Sequence, residues 1–262
     1  MVGKLFRIWL KVALMSAQTQ LLTNWATYLF ILGKIVRFLL FFIFLFSVLS
    51  ANKTLAGFSR EQVILFFLVF NLVDITVQFL FRGVYVFRPL VVSGDYDLDL
   101  LKPLPSLFRP LLGWSDILDF VTLVPLVFYL TVFMFSNRLF EGLGSLLLFL
   151  LLFFNSLVLA FSFHLFICAV CILTTEIDHL VWVYRDLTSM ARFPTDIYQN
   201  AIRAVLIFPI PVVILMTIPA KALMGLLSWQ WVIFSFLISG IFLLGSLKFW
   251  KYALRQYSSA SS

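Results

Sequence analysis

Long apolar runs separated by short polar breaks make up most of this chain. The first strong run covers about 35–51, through FLLFFIFLFSVLS, with Lys34 and Arg37 at its entry. A polar turn at 52–60 precedes a second run at 61–82, which carries polar residues in its interior. Residues 83–110 are polar and rich in Pro, Gly and Asp. A third run follows at 111–135, a turn at 136–142, and an unusually long apolar run at 143–173. Residues 174–200 are charged, 201–220 are apolar but interrupted by proline, and the last run is 229–250. Spanning the hydrocarbon takes about 17–25 apolar residues in a helix. The pattern therefore predicts an all-α integral membrane protein with about six transmembrane helices.

The ends and the fifth span need separate treatment. Lys4, Arg7 and Lys11 are followed by Ser16, Gln18, Thr19, Gln20, Thr23 and Asn24, not by a compact apolar core. That order does not fit a cleavable signal peptide. It predicts an amphipathic interfacial helix within 1–33. In the fifth run Pro209, Pro211 and Pro219 each remove a backbone donor where no water can replace it. The stretch is expected to be a Pro-broken fifth span. The alternative is a re-entrant hairpin, which would make the charged 176–192 segment the fifth crossing. Lys34 and Arg37 are expected to reach to the headgroups.

Composition changes the picture only by removing the soluble alternative. The chain is 63% hydrophobic and 12% charged, against roughly 45–50% and about 25% in soluble domains. The net charge of +7 does not form one basic patch, so no nucleic acid is expected as a partner. The basic residues mark topology instead. With the N-terminus inside, only Lys53, Arg60, Arg138 and Lys221 of the 19 basic residues fall outside, which predicts cytoplasmic N- and C-termini. Cys168 and Cys171 lie in an apolar run and offer no disulfide framework.

Four groups of residues could carry chemistry. Gly94 permits a chain break, and Asp95, Asp97 and Asp99 then precede Leu100, Leu101, Leu104, Leu107, Phe108 and Leu111. Asp97 or Asp99 could cap a short helix whose length Pro103 and Pro105 limit. Such a helix would sit half buried at the cytoplasmic face and offer a charged side to a soluble partner; an ordinary connecting loop is the plain alternative. Asn71, Asp74, Gln78 and Arg82 recur at helical spacing on one face of the second span. They could line a translocation path or bond to neighbouring helices. Asp116 and Asp119 are read as first-turn acids of the third span. His164, Cys168 and Cys171 share a helical face but supply only three ligands, so no metal is expected. No G-x-x-x-x-G-K-[ST], G-x-S-x-G or HExxH motif occurs, so ATP hydrolysis by a phosphate-binding loop in this chain is excluded.

The cytoplasmic segment resembles the signature of ABC-2 type permeases of the small six-span bacterial kind. Gly94, Asp95, Asp97, Leu100, Leu101, Lys102 and Pro103 match it in order. Gly57, Phe58 and Ser59, followed by Glu61, are similar to that family's turn before the second span. Phe193-Pro194, Ile197-Tyr198, Arg203, Pro211 and Pro219-Ala220 follow its proline punctuation. Trp250, Leu254, Arg255, Tyr257, Ser258, Ala260 and Ser261 resemble its C-terminal tail. One position departs: the family has a basic residue two before the glycine, and here it is Val92, with Arg88 the candidate to compensate.

The resemblance implies one ABC-2 type transmembrane domain over 1–262 in a bacterial cytoplasmic (inner) membrane, not itself an enzyme, with ATP hydrolysis supplied by a partner subunit. It implies a permease, usually an exporter, of a small or amphiphilic substrate. Its partners would be a cytoplasmic ABC ATPase and a second permease, the same or related, within membrane lipid. The chain itself would hold no cofactor; ATP and Mg would sit on the ATPase. Residues 83–110, centred on Gly94, Asp95, Asp97, Asp99, Leu100, Leu101, Lys102 and Pro103, would couple the motor to the spans. The competing reading is an ion-coupled secondary transporter or channel using the Asn71–Arg82 stripe. A lipid-acting enzyme lacks a convergent catalytic set, and a scaffold without transport is the remaining class.

Overall fold

The computed structural model describes residues 2–22, 24–51, 54–207 and 211–258. Thr23, Asn52, Lys53, Pro209, Ala260 and Ser261, which enter the reading above, lie outside the described residues. Helix dominates because a backbone in hydrocarbon must satisfy its own hydrogen bonds. α1 (Val2–Leu22) and α2 (Asn24–Ala51) lead to a small hairpin, β1 (Thr54–Leu55) and β2 (Phe58–Ser59), antiparallel with Thr54 opposite Ser59 and Leu55 opposite Phe58. Ser59 then starts α3 (Arg60–Leu80) through a capping box: its Oγ accepts from Gln62 N at 3.3 Å, and Gln62 Oε1 accepts from Ser59 N at 2.9 Å. Such a cap contributes about 1 kcal/mol.

After α3 the chain turns through α4 (Val84–Ser93), α5 (Asp95–Leu100) and α6 (Phe108–Leu112). Long helices resume with α7 (Ile117–Ser136) and α8 (Leu143–Thr174). α9 (Asp178–Ser189) is followed by 3-10 turns at Met190–Arg192 and Thr195–Ile197, then α10 (Asn200–Ile207). A π-helical turn at Val213–Thr217 runs into α11 (Ile218–Leu223), and α12 (Trp229–Gln256) closes the described fold. Among the described residues five segments are long and apolar enough to cross a membrane: Tyr28–Ser47, Arg60–Ser93, Ile117–Ser136, Leu143–Thr174 and Trp229–Gln256. The chain is an all-α integral membrane protein.

α3 is the central helix, buried from Val63 to Phe70 and again at Leu72, Val73 and Val77. α8 packs parallel to α12, with Phe163 against Phe242 at 5.0 Å and Phe166 against Phe249 at 5.1 Å. Small polar residues let these two helices approach: Ser156, Ser235 and Ser239 are buried, and Asn155 Nδ2 donates to Ser235 O at 3.4 Å. The outward faces of α2, α7, α8 and α12 expose Phe44, Phe128, Phe154 and Ile241. Water would not tolerate so continuous an apolar surface.

Three boundaries differ from the sequence reading. Residues 24–33 belong to the long helix α2 and not to the N-terminal helix, which ends at Leu22. The third run is two helices, because Asp116 caps α7 by accepting from Leu118 N at 2.9 Å and so ends any continuation from α6. Neither Asp97 nor Asp99 caps α5. Gly94, left-handed at φ 80°, precedes it, with Asp95 and Asp97 in the first turn. The break before α4 has its own cause. A Cβ on Gly83 would lie 2.6 Å from Pro110 O, so only glycine lets the α6 backbone cross there.

The charged and Pro-rich segments have an unexpected course. α9 runs back along α8, with the Tyr184 ring 5.8 Å from Phe163 and 4.9 Å from His164. The chain passes the Phe41 and Phe70 rings at Arg192 and reaches Asp196. That carboxylate pairs with Lys221 at 2.7 Å, and Lys221 lies 5.7 Å from the Phe58 ring centroid beside the hairpin that precedes α3. Asp196 also pairs with Arg203 of α10 at 2.8 Å. Beyond Pro211 the chain stands against the middle of α8, where Ser156 Oγ donates to Ile214 O at 3.1 Å. It ends with Gly225 against Glu141, in the turn before α8. Residues 178–197 thus run between the two ends of the bundle, while Arg203 and Gly225 both lie at one of them. Arg203, counted with the cytoplasmic set from sequence, sits at the opposite end.

Candidate functional site

Two regions hold the residues singled out from sequence. The first is the connector between α4 and α6. Its anchor is Tyr96, which sequence reasoning passed over. Tyr96 is fully buried, its ring lies edge-on to Phe87 at 5.0 Å and to Tyr257 at 5.7 Å, and its hydroxyl donates to Ser106 O at 3.0 Å. Trp250 Nε1 donates to Ser106 Oγ at 3.2 Å, which ties the connector to α12. Burial pushes the Tyr96 phenol up, and burial with the neighbouring Asp97 carboxylate pushes Tyr257 up to about 12. Both phenols stay neutral.

The rest of the connector faces outward. Asp99 is held by Lys102 at 2.6 Å and Arg109 at 3.5 Å, and Asp95 accepts from Ser93 Oγ at 2.7 Å. Leu98, Leu100 and Leu101 are exposed, Leu101 by 83%, as are Pro103 and Val92. Of the apolar positions expected on the buried side, Leu104 and Leu107 are partly buried and Phe108 and Leu111 are buried, whereas Leu100 and Leu101 are exposed; Asp95 is exposed as expected. Tyr96 takes the inward face of α5.

The second region is the polar stripe of α3. Asn71 Nδ2 donates to Phe67 O at 2.7 Å within its own helix. Asp74 Oδ2 accepts from Gln78 Nε2 at 2.8 Å, and Gln78 Oε1 accepts from Arg82 at 3.5 Å. Arg82 goes on to Asp116 at 3.3 Å, and Lys34 pairs with buried Asp119 at 2.6 Å. Gln20 of α1 joins the same corner, donating to Ser115 O at 3.1 Å and accepting from Ile117 N at 3.0 Å. The stripe is therefore split: its Arg82 end ties α3 to α7, and its Asp74 end faces a cavity. Asp116 and Asp119 are partners in cross-helix ion pairs as well as first-turn acids, and Lys34 serves Asp119 rather than the headgroups.

That cavity, of about 200 Å³, is lined by Arg37, Phe70, Asp74, Trp182, Arg185, Asp186, Thr188, Ser189 and Arg192. Arg37 of α2, read from sequence as a boundary residue, meets here Arg185 of α9 and Arg192 of the 3-10 turn that follows it, both from the segment read only as charged. Only a three-dimensional neighbour list could have joined them. His164 and the cysteines lie elsewhere: His164 Nδ1 donates to Ala160 O at 2.8 Å, and Cys168 Sγ is 4.0 Å from Pro110 O.

No curated protein and no solved structure matches the chain. A family model described as an ABC-2 family transporter protein matches residues 34–261, which covers all five long apolar helices except the start of the first. With the helical membrane fold and the connector already described, that match makes the chain a membrane permease of the ABC transporter kind. It belongs to the ABC-2 family of transporter proteins.

Proposed function

We propose that this permease is driven by a separate cytoplasmic ABC ATPase that docks on the connector at 94–103, and that it works beside a second permease as an exporter. One observation carries the reading: α5 projects Leu98, Leu100 and Leu101 away from the body while Tyr96 clamps the same helix to α4 and α12. A rigid helix with an unpartnered apolar tip suits transmission of a push from a soluble protein to the spans. Asp95 and Lys102 at its flanks add charges that fix register. The ion-coupled alternative has less support, because Asp116 and Asp119 are engaged by Arg82 and Lys34.

The same reading assigns the membrane course. Residues 178–197 form the fifth crossing, and 200–223 form a re-entrant hairpin from the outer side. The crossing bears charges because Arg185 and Arg192 lie against aromatic rings instead of lipid. Pro211 and Pro219 break a segment that does not need to be one helix.

The docking test is co-purification in mild detergent. Wild-type protein brings a nucleotide-binding subunit with it, and Leu98→Asp/Leu101→Asp inserts equally well but loses that subunit. Equal recovery of the ATPase with wild type and variant would sink the assignment.

A further inference from the structure

We infer that the cavity between α2, α3 and α9 is a binding site for an oxyanion, the phosphate or carboxylate head of an amphiphile or the free ion. The inference deepens the permease reading by naming a substrate class. Three guanidiniums, those of Arg37, Arg185 and Arg192, line one space of about 200 Å³. Among the described residues none of them has a carboxylate within ion-pair distance, although Asp74 and Asp186 line the same space. Asp74 hydrogen-bonds to Gln78 and faces Arg185 and Arg37 at longer range across the cavity, and Asp186 is exposed, so two acids stand against three guanidiniums and the space keeps a positive excess.

Aromatic faces position the guanidiniums. Arg185 Cζ lies 6.0 Å from the Tyr85 ring centroid and 5.3 Å from that of Trp182. Arg192 Cζ lies 5.3 Å from Phe41 and 5.8 Å from Phe70. A ring face holds a guanidinium through its π surface and leaves N–H edges free, and those edges suit the oxygens of a phosphate or carboxylate. Charged residues within a spanning bundle are costly, so three unpaired by acids point to a ligand. The volume limits what fits. Pockets for whole drug-sized ligands run to about 300–1,000 Å³, so this one suits a head group, with any tail outside. Arg37 and Trp182 are both exposed at its edge, and α2 packs one side on Phe67 and Phe193 through Phe38 and Phe41 while leaving Leu39, Leu40 and Ile43 exposed, so a tail could lie along that open side.

The test uses the full chain without any ATPase, so its outcome is independent of the docking assignment. In one arm, wild type and Arg37→Gln/Arg192→Gln are reconstituted in nanodiscs of mixed phosphatidylglycerol and phosphatidylcholine, and retained lipid is counted by native mass spectrometry. In the other, thermal stabilisation by inorganic phosphate is titrated in neutral detergent. Loss of two charge-assisted contacts is expected to weaken binding at least tenfold. Arg255→Gln, at the far end of α12, should change nothing. Selective phosphatidylglycerol retention identifies a lipid-type head; stabilisation by phosphate alone identifies a free oxyanion. If the double variant fails to fold, Arg37→Gln alone, at an exposed position, carries the comparison. No selectivity in either arm, or selectivity unchanged in the variants, overturns the inference.

Discussion

Tyr96 shows how much one side chain decides in a connector this short. Its ring fills the space between Phe87 and Tyr257, and its hydroxyl satisfies Ser106 O. Removing the hydroxyl alone, Tyr96→Phe, should cost about 1 kcal/mol. Tyr96→Ala leaves a cavity and should cost about 3–5 kcal/mol. Thermal unfolding in detergent should rank wild type, Tyr96→Phe and Tyr96→Ala in that order, and an alanine variant as stable as wild type would contradict the anchoring role. The sequence pointed to the acids and leucines around it because repeated charge and repeated leucine form visible patterns. A lone tyrosine forms none, and only the packing of α4 and α12 makes it central. The arginines were misread for the opposite reason: near the ends of apolar runs, cations usually mark topology, and nothing in linear order says that Arg37, Arg185 and Arg192 meet.

Among the elements, apolar length was legible and interruptions were not. The fourth and last runs agree with α8 and α12 at their starts, because uninterrupted apolar sequence gives a helix few places to begin. The breaks at Gly83 and Gly113–Asp116 depend on backbone crossing and capping, which are contacts rather than composition. The Pro-rich stretch is the extreme case, since its hydropathy resembles a span while its neighbours at both termini lie at one end of the bundle. Labelling can test its membrane assignment. Cys168 and Cys171 are buried, so background should be low. An impermeant maleimide added outside should modify Gln199→Cys and spare Glu176→Cys, two exposed positions. Modification of Glu176→Cys from outside, with Gln199→Cys protected, would reverse the assignment.

For the whole molecule, one set of ion pairs lies at the connector's end, while the Asp196 pairs with Lys221 and Arg203 lie at the other. At the connector's end, Lys34–Asp119, Arg82–Asp116 and the Gln20 contacts bind α1, α2, α3 and α7 together. Force applied at α5 would reach α6 through Asp99–Arg109, and α12 through Tyr96, Ser106 and Trp250. The general membrane class followed from the pattern of apolar runs, whereas this mechanical continuity required the packing. Its central claim is that an ATPase contacts α5 directly. A photo-crosslinking residue placed at Leu101, and as a control at the exposed Phe128 of α7, tests it in native membranes, with adducts identified by labelling with a photoreactive ATP analogue. An ATP-binding adduct is expected at position 101 and none at 128; crosslinking at 101 that yields no ATP-binding partner would overturn the proposed docking on α5.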